Sequence, residues 1–167
     1  MARFKQTFRV DAPLSAVWQL HDDPRALIDL TPPPIRVKIL KIDRPLHQGS
    51  ALTFRLYLIE PLGATWQAIY DEFNPYQPGL TVCNFVDRSL SSPFKFWVHR
   101  HTFRDLGDGT STVTDDATFR LADGLLGALI TAIAWPTIAF MFLYRRMKTR
   151  QLLRSGAYSH VADQSSV

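Results

Sequence analysis

Apolar and polar residues alternate with the period of a β-strand along most of this chain. Phe4, Phe8 and Val10 alternate with Lys5 and Arg9, which predicts a half-buried first strand. Asp11-Ala12-Pro13 stops it, and Pro13 suits a first helical turn. Leu14, Val17, Trp18 and His21 then fall at helical spacing, so a short helix follows. Asp23-Pro24 opens a second short helix through Leu30, and Thr31-Pro32-Pro33-Pro34 ends it. From there to Leu121 the pattern predicts only strands. Ile35, Val37 and Ile39 share one face, as do Leu52, Phe54, Leu56 and Leu58, then Trp66, Ala68 and Tyr70, then Cys83, Phe85 and Asp87. The segments Phe94–Arg104 and Thr112–Leu121 complete the set, with a hairpin signal at Asp108-Gly109 between them.

The pattern changes at Gly124. The 21 residues to Tyr144 carry no charge, and the next ten, to Arg154, carry five basic side chains. Asp123 suits an N-cap and Gly156 a left-handed C-terminal stop. One helix of roughly 46 Å is expected, at 1.5 Å per residue. A helix apolar on all sides needs burial on all sides. A bilayer would supply it, since about 20 apolar residues suffice to span one. A concave sheet would also supply it. Seven strands joined by short turns form an antiparallel sheet that curls, and its concave face needs a cover. The helix is therefore expected inside the curl, in an α+β fold.

Composition adds little to this picture. The formal charge of +4 comes largely from the basic run near the C-terminus. No interleaving of aromatic and basic residues suggests a nucleic-acid partner. Cys83 is the only cysteine, which excludes an intramolecular disulfide and a cysteine-based zinc site. The N-terminal stretch MARFKQTFRV lacks an apolar core segment, so a cytoplasmic location is expected. Residues 1–155 read as one domain and 156–167 as a flexible tail.

The order of elements and several short motifs resemble the SRPBCC superfamily, which has the helix-grip fold of START proteins and birch-pollen allergens. The likeness is to its small bacterial members described as polyketide cyclase-like or coenzyme-Q-binding-like. The motifs are Val10-Asp11-Ala12-Pro13, Val17-Trp18, Leu30-Thr31-Pro32, Gly49-Ser50, Trp66, Phe85-Val86-Asp87, the run from Pro93 through Trp97, His99 and His101 to Phe103, Thr114-Asp115 and the helix from Gly124. The resemblance covers the chain to about Leu153. It implies a cavity between sheet and helix that takes hydrophobic ligands, such as a lipid, a quinone or a polyketide-like compound. It does not imply one activity.

In that setting Trp18, Phe54, Trp66, Tyr70, Phe85, Trp97, His99 and His101 are candidates to line the cavity. On the long helix, Leu126, Ile130, Ile133, Phe140 and Tyr144 are expected to face inward. Trp97, His99 and His101 share one strand face, and Val113, Asp115, Ala117 and Phe119 share the buried face of the next strand. Both sets are odd-numbered, so the loop between them should have odd length: Gly107-Asp108-Gly109, with Gly109 left-handed. That register sets His101 opposite Asp115 and His99 opposite Ala117. A buried His facing Asp is a polar pair that fixes the register, a general base with its orienting carboxylate, or a hydrogen-bonding partner for the ligand. Two His and one Asp are too few for a metal site on their own; no metal and no other cofactor is expected. Asp87 is read as capping a turn at its strand's end. Arg145, Arg146, Lys148, Arg150 and Arg154 form either a solvated face or a contact with an anionic membrane surface. The functions open at this point are a non-catalytic carrier of a hydrophobic molecule, a cyclase or dehydratase using His101 and Asp115, and a membrane-associated interaction protein.

Overall fold

A computed structural model describes residues 1–158. The elements follow the expected order. They are β1 (Ala2–Val10), α1 (Leu14–Asp22), α2 (Ala26–Asp29), β2 (Arg36–Ile42), β3 (Ala51–Ile59), β4 (Leu62–Asn74), β5 (Val82–Ser91), β6 (Phe96–Asp105), β7 (Ser111–Arg120) and α3 (Gly124–Ser155). The sheet has seven strands in the order β1-β7-β6-β5-β4-β3-β2, and every neighbouring pair is antiparallel. Strands β2 to β7 are neighbours in sequence and in space. Only β1 is displaced, to the far edge beside β7. The short helices α1 and α2 carry the chain from that edge to the other.

The hairpin β6–β7 has the odd loop that alternation requires. Leu106 N–H donates to Thr110 O at 3.0 Å, so three residues remain in the turn. Gly109 has φ of 78°, the left-handed region where a side chain is strained. His101 faces Asp115 and His99 faces Ala117.

Helix α3 departs from expectation. Its fully buried positions are Gly127, Thr131, Ile138, Phe142 and Thr149. The expected inward residues lie elsewhere: Leu126, Ile130 and Ile133 are 69%, 41% and 70% exposed, and Tyr144 is half-buried. The face turned to the sheet is rotated by about one residue, roughly 100°. Small residues explain the rotation. A side chain at Gly127 would run into the Ala122 carbonyl. Thr131 accepts the Leu121 N–H at 3.0 Å and donates to Gly127 O at 2.7 Å. Bulky residues at these two positions would hold the helix off the end of β7. The grip itself is aromatic: Phe142 stacks on Phe4 at 4.8 Å between centroids and lies parallel to Trp97 at 6.4 Å.

The first turns of α3 are not enclosed, contrary to the sequence expectation of burial on all sides. The helix is long and apolar enough to cross a membrane, yet only 28% of its most hydrophobic 18-residue window is buried. Its termini also differ in kind. Asp123 has the extended backbone of an N-cap but makes no capping hydrogen bond; its carboxylate pairs with Arg120 at 3.0 Å instead. Gly156 takes φ of 65°, as a C-terminal stop should. The expected tail from 156 begins with a turn, in which Tyr158 donates to Asp29 at 2.7 Å; the remainder, 159–167, lies outside the described residues.

Candidate functional site

The curl of the sheet leaves a cavity of about 450 Å3 under α3. Its walls include Phe54, Trp66, Tyr70, Phe85, Trp97 and Phe94 from the sheet, and Ile138, Phe140 and Met141 from the helix. Alternation along β3, β4, β5 and β6 puts these side chains on one face. Of the residues named from sequence, Phe54, Trp66, Tyr70, Phe85, Trp97, His99, His101 and Phe140 reach the cavity. Trp18 does not line it. It is packed edge-on against Phe73, Phe85 and Phe103, behind the wall. Leu126, Ile130, Ile133 and Tyr144 do not line it either, because of the rotation of α3.

One part of the wall carries a cluster of titratable side chains. Asp87 from β5, His99 and His101 from β6 and Asp115 from β7 form a closed ring. His99 Nε2 donates to Asp115 Oδ1 at 3.2 Å. His101 Nδ1 lies 3.2 Å from the same oxygen but off the line of a good hydrogen bond. The other ring nitrogens meet Asp87: His101 Nε2 at 3.4 Å and His99 Nδ1 at 3.6 Å from Asp87 Oδ2. Gln6 Nε2, reaching across from β1, donates to Asp115 Oδ2 and to Phe142 O, both at 3.0 Å. Asp87, His99 and His101 line the cavity, and Asp115 stands behind them.

Asp87 is not a turn cap. Strand β5 runs on to Ser91, which places Asp87 inside the sheet directly opposite His99. The signal was present in the sequence, since Asp87 shares a face with Cys83 and Phe85. Gln6 was equally readable, on the face of Phe4 and Phe8 and opposite Asp115. His21 completes the surround from α1. Its ring lies 6.0 Å from that of His101, and its Nδ1 bonds Val17 O at 2.8 Å. Arg145, expected on the outer basic face, is turned to the cavity wall with its guanidinium over Phe142 at 5.8 Å.

Burial sets the charge states. It lowers His99 to about 4, helped by the neighbouring His101, and lowers His21 to about 3. Burial acts downward on His101 as well, but contacts with Asp115 and Asp87 outweigh it and raise that imidazole above its ordinary value. Burial alone would raise Asp115; the His101 and His99 contacts hold it well below the usual carboxylate range. Asp87 is lowered by the same balance. At neutral pH the ring thus holds two carboxylates and a neutral His99, and His101 is the more basic of its two imidazoles. Asp87, His99 and His101 each bring one donor atom to within 4.8 Å of the others. Asp87 thus joins two imidazoles that, with Asp115 alone, are too few to hold a metal.

No protein-family model and no curated protein matches the sequence. Solved structures do match. A protein from Chromobacterium violaceum is 18% identical with a TM-score of 0.67, over 90% of this chain and 96% of its own. One from Nitrosomonas europaea is 12% identical with a TM-score of 0.68, over 93% and 96%. The Zhui aromatase/cyclase from a Streptomyces species is 18% identical with a TM-score of 0.56, over 93% and 98%. At these identities the likeness shows the fold: the helix-grip arrangement of a curled seven-stranded sheet and a long C-terminal helix.

Proposed function

We propose that the protein binds a hydrophobic small molecule in the cavity under α3, as a carrier or binding protein for a lipid, quinone or polyketide-like compound. One observation carries this reading: a cavity of about 450 Å3 whose walls are largely apolar and into which Asp87, His99 and His101 project as one polar cluster. That is the form of a site that takes an apolar body and orients one polar group. The ligand's polar end would lie against Asp87, His99 and His101, and its apolar part against Trp66, Trp97 and Phe54.

A specific observation favours a second reading, a cyclase or dehydratase. His99 and His101 line the cavity rather than being sealed behind Trp97. His101, kept basic by Asp115 and Asp87, would take a proton from a carbon next to a substrate carbonyl, with Asp115 as the orienting carboxylate. Among fold neighbours, one is described as an aromatase/cyclase from a Streptomyces species.

The membrane-association reading gains support from α3. Leu125, Leu126, Leu129 and Ile133 are exposed together, and Phe140 is both exposed and part of the cavity wall. An apolar surface continuous with a cavity mouth suits loading from the cytoplasmic face of a bilayer. Arg146, Lys148, Arg150 and Arg154 would then meet anionic headgroups, with Arg145 excepted.

Native mass spectrometry of the protein purified from its own host, with extraction of the bound compound, tests the binding reading. A stoichiometric apolar compound is expected. A protein that carries none, and from which hydrophobic fluorescent probes are not displaced by lipids or quinones, would refute it. Turnover of the extracted compound, lost in His101→Asn while binding persists, would favour the enzyme.

A further inference from the structure

The ring of Asp87, His99, His101 and Asp115 has four contacts between a carboxylate oxygen and an imidazole nitrogen. Each contact needs a proton or a cation. Two neutral imidazoles supply two N–H groups, which leaves two contacts with lone pair against lone pair. The contacts fall into two sets, one at each carboxylate. The outer carboxylate, Asp115, meets His99 Nε2 and His101 Nδ1 through one oxygen, both at 3.2 Å. The cavity-side carboxylate, Asp87, meets His99 Nδ1 and His101 Nε2 through one oxygen, at 3.6 and 3.4 Å. If both N–H groups point to Asp115, three lone pairs converge on the cavity side.

We infer that Asp87 Oδ2, His99 Nδ1 and His101 Nε2 form a binding site for a divalent transition-metal ion of the zinc or iron(II) class, with Asp115 as its outer carboxylate. The spacing fits. A tetrahedral ion at about 2.0–2.1 Å from each ligand puts the ligands about 3.3 Å apart, close to the two separations at Asp87. Each of the three residues brings one donor atom to within 4.8 Å of the others, so small rotations of the rings complete the set. The charge also fits, since one divalent cation balances the two carboxylates with both imidazoles neutral.

The supporting shell is present as well. Metal-bound imidazoles usually donate their other N–H to a carboxylate, which fixes the tautomer. Here His99 donates its Nε2–H to Asp115 at 3.2 Å, His101 Nδ1 lies 3.2 Å from the same oxygen and needs a small ring rotation to bond it, and Gln6 holds the carboxylate from behind at 3.0 Å. Because Asp87, His99 and His101 line the cavity, the remaining coordination position opens into it. A water molecule or a polar group of the cavity's ligand would fill that position. Nitrogen and carboxylate donors of this kind suit zinc or iron(II) better than calcium or magnesium.

The site shares Asp87, His99 and His101 with the hydrophobic-ligand cavity but does not rest on that reading, and it is tested separately. The untagged full chain is treated with a chelator and titrated with Co2+. One equivalent should bind with the intense visible absorption of a low-symmetry four- or five-coordinate site, and Zn2+ should displace it. His99→Gln and Asp87→Asn should remove the absorption, and Asp115→Asn should weaken affinity about 10- to 100-fold. His47→Gln, at an exposed position outside the ring, should change nothing. The wild-type titration needs no variant to fold, and melting curves check those that are made. Failure of the wild type to bind one equivalent of Co2+ or Zn2+ overturns the site, as does unchanged binding in folded His99→Gln. A hydrophobic probe titrated into the same samples reports the cavity reading independently.

Discussion

Asp115 takes its well-aligned hydrogen bond from His99, at 3.2 Å, although the residue directly across from it in the sheet is His101. The bond runs along the diagonal of the β6–β7 ladder, and Gln6 from β1 binds the second oxygen of the same carboxylate. Three strands are therefore tied together at one buried acid.

Removing that acid should cost stability whatever the site does. Asp115→Ala leaves the His99 N–H without its acceptor and the Gln6 amide with only Phe142 O, so a loss of about 1–3 kcal/mol is expected in urea unfolding. Asp115→Asn keeps one acceptor oxygen and should lose less. Equal effects of Ala and Asn would mean that the hydrogen bonds contribute little and that the charge matters most.

Acid should destabilise the fold earlier than carboxylates alone would. His21 is held at about 3 by burial and by the nearby His101, while in the unfolded chain it titrates near 6.5. As pH falls below about 6.5 the unfolded state takes up this proton and the folded state does not, so stability declines with falling pH toward about 3. His99, at about 4, acts in the same direction; His101, raised, acts in the opposite one. Melting temperature should drop between pH 6.5 and 4.5, and His21→Gln should flatten that slope. A slope unchanged in the variant would remove His21 from the account.

What could be read from the sequence followed from side-chain alternation. Odd-numbered apolar positions on two adjacent segments fixed the three-residue loop and the pairing of His101 with Asp115. The same logic holds for Asp87 and Gln6, but Asp87 is misplaced when it is read at its strand's end, because the strand continues to Ser91. The helix was a different problem. A segment apolar on every side has no stripe to mark the buried face, so the inward residues could not be read from hydrophobicity. Size marked them instead: Gly127 and Thr131 sit where the helix passes close to the end of β7. His21 and Arg145 join the site only through tertiary packing, which no local pattern announces.

The rotation of α3 separates two phenylalanines that are near neighbours in sequence. Phe142 is fully buried among Phe4, Trp97 and His99, and Phe140 is 60% exposed at the cavity. Phe142→Ala should destabilise by about 3–5 kcal/mol, as for a large aromatic lost from a core. Phe140→Ala should leave unfolding within about 0.5 kcal/mol of wild type, the range for exposed positions, and instead weaken binding of a hydrophobic probe. The opposite ranking in urea unfolding would place the helix face wrongly.

Membrane docking makes a demand on the exposed side of the same helix. Leu126 and Ile133 lie outside the sheet's grip, so charges placed there should not disturb folding. Leu126→Asp combined with Ile133→Asp should nevertheless abolish co-sedimentation with vesicles containing phosphatidylserine, because it sets acidic groups against both the apolar layer and the anionic surface. Arg146→Gln with Lys148→Gln should weaken only the salt-sensitive part, by about 1 kcal/mol per basic residue near the lipid. High salt should reproduce that partial loss in the wild type. If the wild type fails to bind such vesicles, or if light scattering shows a dimer that the aspartate pair dissociates, the apolar face serves a second copy of the chain and not a bilayer.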